Sequence, residues 1–83
     1  MRIKYTGRIY DVQRQEIEKK MAGVVPETGR RFFVALDGVQ YPVKQVFGKA
    51  LGLPVAAFST GYAYNVLSRL GFQIIDRGAR ESK

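Results

Sequence analysis

The sequence predicts an α+β fold: a small β-hairpin and a short third strand packed with three helices, in the order α-β-β-α-α-β. Three observations carry the prediction. Asp37-Gly38 separates two runs of apolar, β-branched and aromatic residues, and such a pair suits the positive φ at both central positions of a two-residue type I′ turn. Two later segments repeat apolar residues at helical spacing, and each closes on a glycine. Phe72 to Asp76 then reads as a strand able to add to the hairpin.

In Met1 to Tyr10, Arg2, Lys4 and Arg8 stand among Ile3, Tyr5 and Ile9, so this stretch is read either as a short strand or as a basic arm. Thr6-Gly7 could turn a hairpin, but pairing Tyr5 with Arg8 would set Ile3 and Tyr5 beside Tyr10 rather than Ile9, and none is assigned. Asp11 is the expected N-cap of a first helix through Met21, with Gly23 as its stop. Val12, Ile17 and Met21 give it a narrow apolar seam, and Glu16 and Lys20 an i,i+4 ion pair. Val24 to Gly29 is a loop, and Arg30 and Arg31 lead into the hairpin.

The hairpin register places Leu36 opposite Val39, Val34 opposite Tyr41, and Phe32 near Val43, six side chains on one face. Pro42 sits where a strand end meets a helix start, because it lacks a ladder donor and pre-sets φ. The second helix spans Val43 to Leu51. Val43, Val46, Phe47, Ala50 and Leu51 form its buried stripe, while Lys44, Gln45, Gly48 and Lys49 take the other side. Gly52 closes it and Pro54 prevents its continuation. Phe58 plugs the core. Ser59 caps the third helix, with Thr60 as the reserve cap; Ala63, Val66, Leu67 and Leu70 are its buried stripe, and Gly61, Tyr64, Asn65, Ser68 and Arg69 lie opposite. Gly71 ends it, and Arg77 to Lys83 is a fraying basic tail.

A chain of 83 residues accommodates one domain, whose module is the stretch 31–76. It has no Cys and no His, which removes disulfides, thiolate metal sites, the commonest general base and any Ser/His triad. Glu16 and Glu18 point apart on a helix, so no paired-carboxylate site arises. The expectation is therefore not an enzyme, with no metal and no cofactor. No apolar run is long enough to span a membrane, and the first residues do not form a signal-peptide series, so a cytoplasmic location is expected.

Fourteen basic residues against seven acidic give a formal charge of +7, which favours a polyanionic partner. No Asp or Glu occurs from Gly38 through Ile75. The outer side of the third helix offers types that contact phosphates and base edges. Lys44, Lys49, Asn65, Ser68, Arg69, Thr60 and Tyr64, joined by Arg30 and Arg31 at the hairpin entrance, are the candidate nucleic-acid-binding residues. Lys44, Lys49, Asn65, Ser68 and Arg69 are expected on one contiguous face. Duplex DNA is the first expected partner. RNA is an alternative, because Tyr62, Tyr64, Phe33 and Tyr41 would be stacking platforms if exposed. A protein-interaction adaptor or antitoxin-like partner using Val55 to Phe58 is another.

Tyr41-Pro42-Val43-Lys44, the helix after it, Phe58-Ser59-Thr60 and Leu67-Ser68-Arg69-Leu70-Gly71-Phe72 follow one another in order. The series resembles a small module found alone in bacteria and as the N-terminal head of McrA-like, modification-dependent HNH restriction endonucleases. Its pattern is Tyr-Pro-Pro-Lys-Ala, a helix, Phe-Ser-Gly-Gly, a helix, and Leu-Gly-Phe. Val43, Gln45 and Thr60-Gly61 depart from it, and Met1 to Gly29 lies outside it. The resemblance implies DNA binding in a bacterial restriction or defence setting, with cleavage supplied by a partner such as a nuclease subunit, since the His-Asn-His part is absent here.

Overall fold

The computed structural model describes residues 1–29 and 31–77; Arg30 and residues 78–83 of the expected tail lie outside them. The order is β1 (Arg2–Tyr5), β2 (Arg8–Asp11), α1 (Arg14–Met21), β3 (Phe32–Leu36), β4 (Val39–Pro42), α2 (Val43–Leu51), a 3₁₀ turn (Val55–Ala57), α3 (Thr60–Arg69) and β5 (Ile74–Asp76). β1 and β2 form a two-stranded sheet, and β4-β3-β5 a three-stranded one, with every pairing antiparallel. The fold is α+β, as expected.

The central hairpin follows its turn. Asp37 and Gly38 have φ of 53° and 82°, and Leu36 pairs Val39 while Val34 pairs Tyr41. Val39, however, stays 37% exposed, so the shared face is buried only up to the turn. Phe33, on the other side of the sheet, is also buried. The Arg77 guanidinium lies 3.8 Å from its ring centroid and donates to Gln40 Oε1 at 2.7 and 3.0 Å. Arg77 therefore seals the sheet instead of starting a frayed tail.

Pro42 ends β4 and caps α2, and Gly52, at φ 72°, closes α2. α2 is enclosed on nearly every side: Val43, Gln45, Val46, Phe47 and Gly48 are all buried. The expected one-sided stripe is thus corrected, because α1, α3, both central strands and the 3₁₀ turn all pack on this helix. Gly48 is needed there, since a Cβ would stand 2.8 Å from the Leu53 carbonyl oxygen. Phe47 is fully buried, with Phe58 and Tyr62 edge-on at 4.7 and 5.6 Å between ring centroids. Ser59 caps α3 by accepting from the Tyr62 N–H at 3.1 Å.

The first eleven residues depart most from expectation. They form a hairpin in which Tyr5 pairs Arg8 and Ile3 pairs Tyr10. Ile3 is in the core, while Ile9 remains 66% exposed. Asp11 ends β2, and Gln13 is the N-cap of α1. Val12 is buried ahead of the helix, its N–H donating to the Met1 carbonyl at 2.7 Å. On α1 the ion pair is Arg14–Glu18 at 3.2 Å, whereas Lys20 donates to the Ala50 carbonyl at 2.8 Å.

Candidate nucleic-acid interface

α3 has two flanks and a crest, because residues four and seven apart return to one side of a helix. Ala63, Val66 and Leu67 face the core, and Gly61, Asn65 and Ser68 form the exposed crest. Thr60 and Tyr64 lie on one flank, and the Tyr64 ring meets Phe32 of β3 edge-on at 4.9 Å. Tyr62 and Arg69 lie on the other. The Tyr62 ring sits 5.1 Å from Tyr5, and its hydroxyl donates to the Lys4 carbonyl at 3.4 Å.

The N-terminal hairpin runs along this second flank. Tyr5 is fixed at one end by Tyr62 and by donating to the Ala57 carbonyl. Beyond the other end, Arg14 donates to the Gly71 carbonyl at 3.0 Å, just past α3, with its guanidinium 4.9 Å from the Phe72 ring. Arg2, Lys4 and Arg8 are exposed; Arg2 and Lys4 lie on the face of the hairpin opposite Ile3, and Arg8 lies beside the turn, across from Tyr5. Neither β1 nor α3 contains an acidic residue, but Asp11, the last residue of β2, stands directly opposite Arg2 across the hairpin.

The first flank borders a cavity of about 510 Å³ lined by Arg31, Lys44, Thr60, Glu27, Phe32 and Val55, among others. One wall is the loop before β3. Gly29 lets that loop approach Pro42 closely, since a Cβ there would stand 2.7 Å from the ring. Gln45 holds the loop from the other side, accepting from the Glu27 N–H and donating to the Val25 carbonyl, each at 2.9 Å. The Tyr41 hydroxyl donates to the Val24 carbonyl at 3.0 Å. Arg31 is bidentate to Asp76 at 2.9 and 3.1 Å and lies 4.8 Å from the Phe32 ring. The hydrogen bond to Asp76, and then its charge, hold the Arg31 pKa above its ordinary value. The Lys44 ammonium lies 5.7 Å from the Phe58 ring and makes no ion pair among the described residues.

The single expected face therefore separates into three places. Lys44, Thr60 and Arg31 line the cavity, with Tyr64 packed behind its Phe32 wall; Asn65 and Ser68 crest α3, with Arg69 on the hairpin flank. Lys49, five residues from Lys44 and so about 140° around α2, borders a different depression with Val25, Leu53 and Val55. Arg30 is outside the described residues. The acid-free stretch is not acid-free in space either: Glu27 and Asp76 stand on either side of it in sequence, and Glu27 lines the cavity while Asp76 pairs Arg31, which also lines it. Sequence reasoning gave Glu27, Thr28 and Gln45 no role, because each is placed by tertiary packing rather than by a local motif. Of the N-terminal hairpin, the sequence shows Arg2, Lys4 and Arg8 as a short strand or basic arm, but not its place beside α3.

A family model matches residues 1–83. The chain belongs to the SCO5918-like family. Comparisons with curated proteins and with solved structures found no match. The SCO5918-like match takes in the N-terminal hairpin and α1 together with the stretch from Arg31 to Phe72, so both flanks of α3 fall within it.

Proposed function

We propose that this protein binds duplex DNA through the crest of α3 and the basic hairpin beside it. The observation that carries the reading is the position of Arg2 and Lys4 alongside a helix whose exposed side holds Asn65, Ser68 and Arg69 and no carboxylate. A ten-residue helix is about 15 Å long and can enter a major groove about 12 Å wide, the more easily with glycine at position 61. Asn65 then suits adenine bidentately, Arg69 guanine or a phosphate, and Arg2 and Lys4 the backbone. The deep, narrow major groove of A-form RNA does not admit such a helix. The aromatic residues that single-stranded RNA would need are also engaged: Phe33 and Tyr41 are buried, Tyr62 packs on Tyr5 and Phe47, and Tyr64 on Phe32.

The Tyr-Pro-x-Lys resemblance supports a bacterial restriction or defence setting. In this fold most of that motif is scaffold, with Tyr41, Pro42 and Val43 buried, and Lys44 is the charged member of the motif that lines the cavity. A protein partner is a second reading, favoured by Val25 at 79% and Val55 at 46% exposure beside the depression that holds Lys49. The deciding experiment titrates one selected and one scrambled duplex at equal salt. Asn65→Ala should cost about 1–3 kcal/mol on the selected duplex and little on the scrambled one. Equal affinity of folded wild type and variant for both duplexes would sink the DNA reading and advance the protein partner.

A further inference from the structure

We infer that the 510 Å³ cavity on the Phe32 flank is a nucleotide site, taking a 5′-phosphorylated nucleoside whose base carries an exocyclic amine. It uses the flank of α3 opposite the hairpin, and so stands apart from the duplex reading. A volume in this range, with an apolar lining and a few convergent polar groups, is the usual form of a small-ligand pocket. Phe32, Pro42 and Val55 supply the apolar surface against which a base can leave water.

The polar groups divide between two ends. The Lys44 ammonium lies by Phe58, which immediately precedes the Ser59 cap of α3, so it stands at the Thr60 end. An ammonium and a hydroxyl that line one cavity suit a phosphate. Glu27 stands at the Gln45 end, its backbone fixed by the Gln45 amide. A carboxylate there accepts from an exocyclic amine, the pairing that lets Glu or Asp read cytosine. Arg31 is engaged by Asp76, so Lys44 is the cation that meets the phosphate. The formal charges of Lys44 and Glu27 cancel. Inorganic phosphate therefore gains little from the cavity, whereas a nucleotide with an anionic end and an amine-bearing end matches both.

The ligand could arrive free or as one unstacked nucleotide of a strand, and the test separates these sources. The full chain, labelled with ¹⁵N, is titrated with dCMP, dTMP, deoxycytidine, inorganic phosphate and a short oligodeoxycytidine while amide shifts are followed. The expected result is saturable binding of dCMP with a Kd of about 1 mM or tighter, reported by Thr28, Phe32, Lys44 and Thr60. dTMP, deoxycytidine and phosphate should each bind roughly tenfold more weakly. Lys44→Ala should weaken dCMP about tenfold, and Glu27→Gln should bring dCMP and dTMP to within about twofold. Val55→Trp, a change at an exposed position, should fill the cavity and abolish binding with the melt unchanged. An oligonucleotide tighter than dCMP at the same amides assigns a strand-borne nucleotide, and the reverse order a free one; either result supports the site. Absence of shifts with every probe, or phosphate binding as well as dCMP, overturns it, whatever the outcome with duplex DNA.

Discussion

The two flanks of α3 both carry cations and differ in how far acids balance them. On the hairpin flank Lys4, Arg8 and Arg69 have no acid on β1 or α3, and the one acid of the hairpin, Asp11, stands opposite Arg2, so cations outnumber acids there. On the cavity flank Arg31 is answered by Asp76, and Lys44 shares its cavity with Glu27. An unbalanced positive surface attracts a long polyanion and makes binding salt-dependent. A balanced concave one discriminates by shape and by paired polar groups. One helix thus presents a surface suited to a backbone and a cavity suited to a single small ligand.

Both flanks hang on one side chain. Phe47 touches Phe58, which lies under Lys44, and Tyr62, which holds the hairpin. Phe47→Ala should cost about 3–5 kcal/mol, comparable to the whole stability of a small domain. The expected thermal scan shows a largely unfolded population, with both flanks lost together. A cooperative melt within a few degrees of the parent would mean that the flanks are supported independently.

Ile3→Ala should break the comparison on one side only. A truncated core isoleucine costs about 2–5 kcal/mol, and the low end applies to Ile3, on a two-stranded hairpin at the core's margin. Hydrogen exchange should then quicken in β1 and β2 before β3 and β4. Deleting Met1 to Gly7 would remove Ile3 and Tyr5 with the charges, so charge substitutions are the cleaner probe of binding. Gln45→Ala should act on the opposite flank. It leaves the Glu27 N–H and the Val25 carbonyl without their partner, at about 1–3 kcal/mol, and exchange should quicken in the loop from Val25 to Glu27 while β1 is unaffected.

These contrasts also mark what the sequence made legible. The central hairpin, the ends of α2, the Ser59 cap and the burial of Phe58 rest on local chemistry, such as positive φ, a missing N–H or a side-chain cap, and they were readable. A stripe rule puts Gln45 and Gly48 on the side of α2 away from the core, because it assumes one buried side, whereas α2 is enclosed on nearly all. The N-terminal hairpin was passed over because its pairing leaves Ile9 outward, against the usual preference for burying isoleucine. At the candidate site, residue types were legible and their grouping was not. Lys44 and Asn65 lie on different elements, and only the packing of α2 against α3 decides that they occupy different sides.

The smallest expected effect is the most discriminating. Each lysine or arginine that neutralises a phosphate contributes about 0.9 to the slope of log K against log salt on B-DNA. Replacing Arg2 and Lys4 together by Ala should therefore lower the slope by about 2, with base preference unchanged, if both contact the backbone. Lys44→Ala carries the same change in charge per residue, but Lys44 stands on the balanced flank and lines a cavity too small for a duplex. Its slope should match the wild type, and its duplex affinity should change by less than about twofold, while its dCMP binding falls. Anisotropy titrations at three salt concentrations measure both variants in one format. Equal losses of slope per charge at Lys44 and at the hairpin would show that the two flanks form one phosphate-binding surface, and the division between backbone surface and nucleotide cavity would have to be abandoned.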